Sequence, residues 1–379
     1  MAEIPSDIIT LVLREAYYLR KANFSAEHQP DNPTLSSCAL VNSIWKEAAQ
    51  SLLFKSVVCN PSFASTILKE NSVLLKHIHI IDFTTPEDKN ALKEFGKLVS
   101  LALDRCPSLY EIIWRGAESF ALSDTALSDI RGRDLSIRSL RIYWRDPSSD
   151  FHYRLPTCFP SLQFLSLITD TKTDFRVPVP PSDFLAGLSL FELRLSGCLD
   201  SALTTICQSQ HSIQVLEIPS ILNLGILETI RPHFVHLRSL RLKRFTEVER
   251  SFQEACPKLQ ELMVVVKGQT ARLPVPLPPS LKHLLIMISW GGYGMDATSF
   301  VSSVILAVTQ SNTLQSIRLR GPTWNLKGDL SALRSACEDH DVDLVVKSYA
   351  SWPDEVCVKA STRCNFPRRR SISSFTLMN

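Results

Sequence analysis

The 379-residue chain is most informative at first in what it lacks. No run of apolar residues approaches the ~18 needed to cross a bilayer, so no membrane partner is expected. Ten cysteines are scattered through it without a single Cys-x-x-Cys pair, which disfavours both a zinc ribbon and a compact disulfide scaffold and fits reduced thiols in the cytoplasm or nucleus. Charge of one sign is scarce too. A net charge of +3 and a pI near 8.3 are too mild to imply nucleic acid. The first residues, Met-Ala-Glu-Ile-Pro-Ser-Asp, carry neither a basic start nor a following apolar stretch, so no secretory signal is expected.

Catalytic signatures are equally thin. There is no Gly-x-Ser-x-Gly elbow and no Walker loop; Gly291-Gly-Tyr-Gly294 lacks the lysine and reads as a turn. His77-x-His79 and His233-x-x-His236 have no acidic or cysteine neighbour at metal-site spacing. No metal, no cofactor and no enzymatic activity are expected.

Leucine is what the chain has in plenty, with 52 residues, and they are periodic. The pattern apolar-x-x-apolar-x-apolar begins at Leu75, Leu109, Ile137, Leu162, Leu190, Ile213, Leu237, Leu259, Leu281 and Leu314, with a degenerate copy ending at Leu344 and Val346. Its last two apolar positions alternate with a variable one, as in Leu165-Ser-Leu167 and Leu240-Arg-Leu242, which is a strand with one buried face. Between copies the period lengthens to three or four, as at Phe95, Val99 and Leu103, or Val301, Ile305 and Val308, which marks short amphipathic helices. A strand and a helix every 22 to 34 residues can be accommodated by a solenoid in which each unit shares its core with its neighbours.

These residues resemble the leucine-rich repeat family. Leu190-x-x-Leu193-x-Leu195-x-x-Cys198 fits the family pattern completely, and the Cys-Pro-x-Leu or Phe-Pro-x-Leu lead-ins at Cys106, Phe159 and Cys256 are of the kind seen there. The resemblance implies an α/β horseshoe over residues 61–348. Two connections, Val177–Pro181 and Leu273–Pro279, hold too much proline for helices and should be extended spans, whether plain connections or ligands for proline-binding domains.

Residues 1–60 lack the repeat. Ile4-Pro-Ser-Asp begins a helix whose apolar residues form two stripes, Ile8, Val12 and Leu19 on one and Ile9, Leu13 and Tyr17 on the other. Leu35 to Trp45 continues into a second helical stretch ending at Phe54, again with two stripes. So small a module cannot cover such helices on every side, and part of it should meet a partner or the repeat domain. An apolar residue and proline, an acidic residue, Ile and Leu in a run, an Ala-Leu-Val segment and a tryptophan together resemble an F-box, of the type found in fungal F-box proteins with repeats. The resemblance implies a small all-α module that docks on a Skp-type adaptor and through it on a cullin ubiquitin ligase. Its contact candidates are Ile4, Pro5, Ile8, Ile9, Leu40, Val41 and Trp45. A helical cap on a repeat scaffold, with no ubiquitin link, is the alternative. Residues 20–33 look like an inserted surface loop.

Target recognition is expected from strand residues on the face opposite the leucines. Arg141, Arg194, Arg241 and Arg318, with Arg115, Tyr143, Lys243 and Arg320 two positions on, would form a lane suited to a carboxylate- or phosphate-bearing protein. Glu111, Glu192, Glu217 and Glu261 occupy the same face, so exposed pairs between strands would instead neutralise the lane. His79 falls in the lane of the first copy, and Met263, Val265, Leu285 and Met287 would give an outward apolar patch. The tail, 349–379, ends in Arg368-Arg-Arg-Ser371 and reads as a disordered, solvated terminus, a kinase site or a nuclear-entry signal.

Overall fold

The computed structural model describes residues 5–16, 31–60, 63, 72–86, 89–116, 122–144, 150–169, 187–196, 206, 213–218, 228, 230–242, 255–266, 273, 276–288, 297–321 and 329–347. They fall into two compact units, one ending at Ser189 and the other beginning at Leu190. Both are α/β, built on parallel strands whose spatial order follows their order in the chain.

The first unit opens with three helices, α1 (Ser6–Ala16), α2 (Asn32–Cys38) and α3 (Ser43–Leu53). The second stretch, continuous by its apolar pattern, breaks in two. Asn42 is extended at φ −164° and ψ −179°, and its Oδ1 accepts from the N–H groups of Ile44 and Trp45, each at 3.0 Å. Asp31 caps α2 in the same way, accepting from the Thr34 N–H at 3.1 Å, with Pro33 in the first turn where no donor is missed.

Five strands follow: β1 (Ser56–Cys59), β2 (Ile80–Thr84), β3 (Glu111–Arg115), β4 (Ser139–Trp144) and β5 (Phe164–Thr169). β1 was not legible as a repeat, yet it pairs with β2 (Val57 with Ile81), so the helical segment runs into the sheet before residue 60. Between the strands lie α4 (Lys89–Arg105), α5 (Asp124–Arg131) and the single turn α6 (Phe151–Arg154). Register aligns Ile81, Ile112, Leu140 and Leu165 in one row and Phe83, Trp114, Ile142 and Leu167 in the next, all at most 2% exposed. These rows face the helices: Trp114 packs its ring 5.8 Å from Phe95 of α4 and 5.1 Å from Phe151 of α6.

The register corrects the first copy. Leu75 and Ile78 precede the strand, and the core rungs of β2 are Ile81 and Phe83, so the copy starts three residues later, at Ile78. Asp82, not His79, therefore stands in the lane between the rungs. The pattern alone fitted either frame, because Leu75, Ile78, Ile80, Ile81 and Phe83 are all buried.

The second unit carries β6 (Glu192–Ser196), β7 (Val215–Ile218), β8 (Ser239–Leu242), β9 (Glu261–Val266), β10 (His283–Ile288), β11 (Ser316–Arg320) and β12 (Asp343–Lys347), with α7 (Ala297–Gln310) and α8 (Asp329–Asp339). Leu193, Leu216, Leu240, Leu262, Leu284 and Ile317 form one buried row, and Ile218, Leu242, Val264, Ile286 and Leu319 the next. The degenerate copy forms β12, in register with β11. Gly321 ends β11 at φ +127°, where a Cβ would overlap the Ile288 carbonyl oxygen, so only glycine fits.

The proline lead-ins have a mechanical role. In Cys106-Pro-Ser-Leu109, Phe159-Pro-Ser-Leu162 and Cys256-Pro-Lys-Leu259 the first carbonyl accepts from the leucine N–H at 3.1–3.2 Å. Each is a tight turn with proline at its second position, aiming the chain into the next strand. The proline-rich span 177–181 lies outside the described residues. In the other, Leu273 and Leu277 are buried, and the Leu273 N–H donates to Ser303 Oγ of α7 at 3.2 Å.

Candidate protein-interaction surfaces

In the helical segment one stripe of α1 makes the core and the other does not. Ile9 and Leu13 pack with Leu35, Ala48, Ala49 and Leu52, while Cys38, Ala39, Trp45 and Leu53 close the edge. Turned the other way, Ile8, Leu11 and Val12 are about half exposed, as expected for the positions three and four apart that share the opposite face. The Asn42 cap puts Leu40 and Val41 in the turn between α2 and α3, at 87% and 62% exposure, and Ile44 stands beside them in sequence. Of the seven contact candidates, Pro5, Ile8, Leu40 and Val41 are exposed and Trp45 is partly buried against the core. Ile9, at 2% exposure, is core and not contact surface; Ile4 lies outside the described residues. Leu11, Val12 and Ile44 were missed as surface because a stripe pattern does not say which stripe wins the interior.

The arginine lane is not a row of free cations. In the first unit Arg115, at the end of β3, donates from Nε to both oxygens of Asp82 (3.0 and 3.1 Å) and from Nη2 to Oδ2 (3.0 Å). Its guanidinium lies 4.7 Å from the Tyr143 ring centre. Partial burial works against the Arg115 charge, but the hydrogen bonds to Asp82 outweigh it and raise its pKa above the ordinary value. Arg141 Nε stands 3.0 Å from Glu111 Oε1, and the Glu111 side chain is wholly buried.

In the second unit three of the lane's four described arginines are interior. Arg194 Nε bonds Glu192 at 2.7 Å and lies 3.5 Å from Glu217; Arg241 lies 3.7 Å from Glu217 and bonds Glu261 at 2.8 Å. Ser239 Oγ donates to the same Glu261 oxygen at 2.8 Å. Arg194, Arg241 and Arg320 are 8%, 0% and 5% exposed, so the expectation of open guanidinium groups is corrected here: each sits where a ligand cannot reach it. Arg318 is partly buried, and Lys243 lies outside the described residues. The apolar patch is corrected likewise, since Met263, Val265, Leu285 and Met287 form a buried cluster.

Histidines line the same sheets. His283 Nδ1 lies 2.9 Å from Ser316 Oγ, and His79 Nδ1 lies 3.0 Å from the Ser108 carbonyl oxygen. Burial lowers the pKa of His283 below its ordinary 6.5, Glu261 opposing this while Arg318 and Lys282 add to it. Burial also lowers that of His79, against its bond to Ser108 and with help from Lys55. The unfolded chain therefore takes up protons first. Folding stability is expected to be level between about pH 7 and pH 8, below the range in which unfolded thiols ionise, and to fall as pH drops through about 6.5, while ordinary carboxylates (pKa ~4) remain ionised. Urea midpoints measured at about pH 7.5 and 5.5 test this, and His283→Gln with His79→Gln should shrink the drop between them.

Among the described residues no group of three or more His, Cys, Asp or Glu side chains is placed to hold a metal, and no helix is long and apolar enough to cross a membrane. The thiols of Cys59, Cys106 and Cys256 are pushed up to about 12, chiefly by burial, which makes them poor nucleophiles. Gly291–Gly294 and the tail, 349–379, lie outside the described residues. No family model matches this chain, and a search of curated proteins finds no match.

Proposed function

We propose that this protein is a non-enzymatic substrate-recognition subunit of an SCF-type ubiquitin ligase, acting in the cytoplasm or nucleus. Its helical segment, as an F-box, docks on a Skp-type adaptor and through it on a cullin, and its leucine-rich repeats, as a horseshoe, hold the target. The observation that supports this most is the set of exposed apolar residues Pro5, Ile8, Leu11, Val12, Leu40, Val41 and Ile44 around a core that is complete without them. Isolated exposed apolar residues are ordinary; several brought to the surface by one small helical segment point to a protein partner. Bringing a target to the ligase raises its effective concentration there and needs no active site in this chain.

The scaffold reading draws on a different contact. α3 packs against the short 3-10 helix Val73–His77 next to the sheet, with Lys76 3.4 Å from Glu47, as an end cap would. The two readings separate on co-purification with adaptor and cullin. Ile8→Asp with Leu40→Asp is expected to abolish adaptor capture while leaving the melting temperature within a few degrees, because both side chains lie outside the core. An intact protein that captures no adaptor would favour the cap.

A further inference from the structure

Among the described strand arginines of the lane, Arg115 is the exposed one, its side chain 44% accessible, whereas the Arg141 and Arg194 side chains are at 13% and 9% and that of Arg241 is at 0%. It is also held still. Asp82, itself only 7% accessible, grips the Nε and Nη2 edge, and Tyr143 supports one face of the guanidinium. Among the described residues nothing accepts from Nη1, so the outer edge of the fork remains available.

Register places two further polar groups at the same level. Thr84 on β2 is paired with Arg115, and Arg115 with Tyr143 on β4, giving a hydroxyl, a guanidinium and a phenol on three adjacent strands ~4.8 Å apart. Thr84 is exposed and Tyr143 half-buried, and neither hydroxyl has a hydrogen-bond partner among the described residues. Ordered donors and acceptors of this kind bind with little loss of side-chain freedom, since that loss was taken on folding.

We propose that Thr84, Arg115 and Tyr143 form the point of contact with the target, and that the group received there is a single carboxylate of an Asp or Glu side chain on an extended protein segment. The proposal rests on the reading of the repeats as a target-binding domain, though not on adaptor docking. Charge selects the ligand. Among the described residues Asp82 offsets Arg115 and Glu111 offsets Arg141, so these side chains leave no surplus of positive charge for a phosphate carrying nearly two negative charges. One carboxylate fits the open edge of the fork as a charge-assisted pair, with the flanking hydroxyls left to bond the backbone of the same segment. Arg194 and Arg241 of the second unit take no part, because both are paired with glutamates and buried.

The test uses the full chain and a displayed library of random peptides of about a dozen residues, selected at low salt. Selected peptides are expected to share an Asp or Glu. Changing that residue to its amide should weaken binding about tenfold or more, as should Arg115→Gln, and the two changes together should be no worse than either alone. Thr84→Glu provides a variant free of folding effects: the side chain is exposed, and its carboxylate would occupy the Arg115 edge and block the peptide to a similar degree. Selection with no shared acid, or affinity in Arg115→Gln and Thr84→Glu equal to that of the unaltered protein, overturns the proposal. So does tighter binding when phosphoserine replaces the shared acid. No adaptor is present in the assay, so its failure and a failure of adaptor capture are distinguishable.

Discussion

Arg241→Met is expected to destabilise the second unit by about 3–5 kcal/mol, read as a lower urea midpoint. The reason is the carboxylates it would leave behind. Arg241 and Glu261 both have fully buried side chains, 2.8 Å apart, and Glu217 lies 3.7 Å away on the other side. Removing the guanidinium leaves the Glu261 charge in the interior beside the Ser239 hydroxyl without its cationic partner, and desolvation of the carboxylate dominates. The same argument gives a second result that a simple loss of packing would not. Arg241→Met combined with Glu261→Leu and Ser239→Ala should recover at least half of the lost stability, because the fully buried Glu261 charge is then gone and Glu217 keeps Arg194 at 3.5 Å. A triple variant no better than Arg241→Met would show that the loss came from shape.

Trp114→Ala should lower the melting temperature by about 6–20 °C, the counterpart of about 3–5 kcal/mol for a fully buried aromatic in a unit of this size. Trp114 is 1% exposed and holds together elements far apart in sequence: Phe83 on β2 at 5.5 Å, Phe95 on α4 at 5.8 Å and Phe151 on α6 at 5.1 Å between ring centres. Alanine leaves a cavity between a strand and two helices that cannot close without moving all three. Trp114→Phe, which keeps a ring in the same space, should cost markedly less; equal losses from the two variants would mean the contact network is not what the ring positions indicate.

Parts of this architecture could be read directly from the chain. Strand and helix segments were legible because their apolar periods, two and three to four, follow from backbone geometry alone, and the proline lead-ins mark turns for the same reason. The frame of the first copy was not legible. Leu75, Ile78 and Ile80 satisfy the repeat as well as Ile78, Ile81 and Phe83 do, and only pairing of Ile81 with Ile112 selects between them. β1 escaped notice since its burial is partial, with Val58 facing outward at 53% exposure.

The candidate surfaces divide in the same way. That Ile8 and Ile9 belong to different stripes is a property of helix geometry, whereas which of them is buried depends on α2 and α3 arriving on one side of α1. Alternation along each strand likewise fixes that Arg115 and Arg241 share no face with the leucines. It says nothing of how much water reaches them. Arg241 is sealed among Glu217 and Glu261 while Arg115 keeps one edge in solvent, because ion pairing and burial are set by residues on neighbouring strands, tens of positions away in the chain. Local periodicity is a one-dimensional property and determined the elements and their inward faces; register, pairing and exposure are relations between distant segments, and only the tertiary structure decided them.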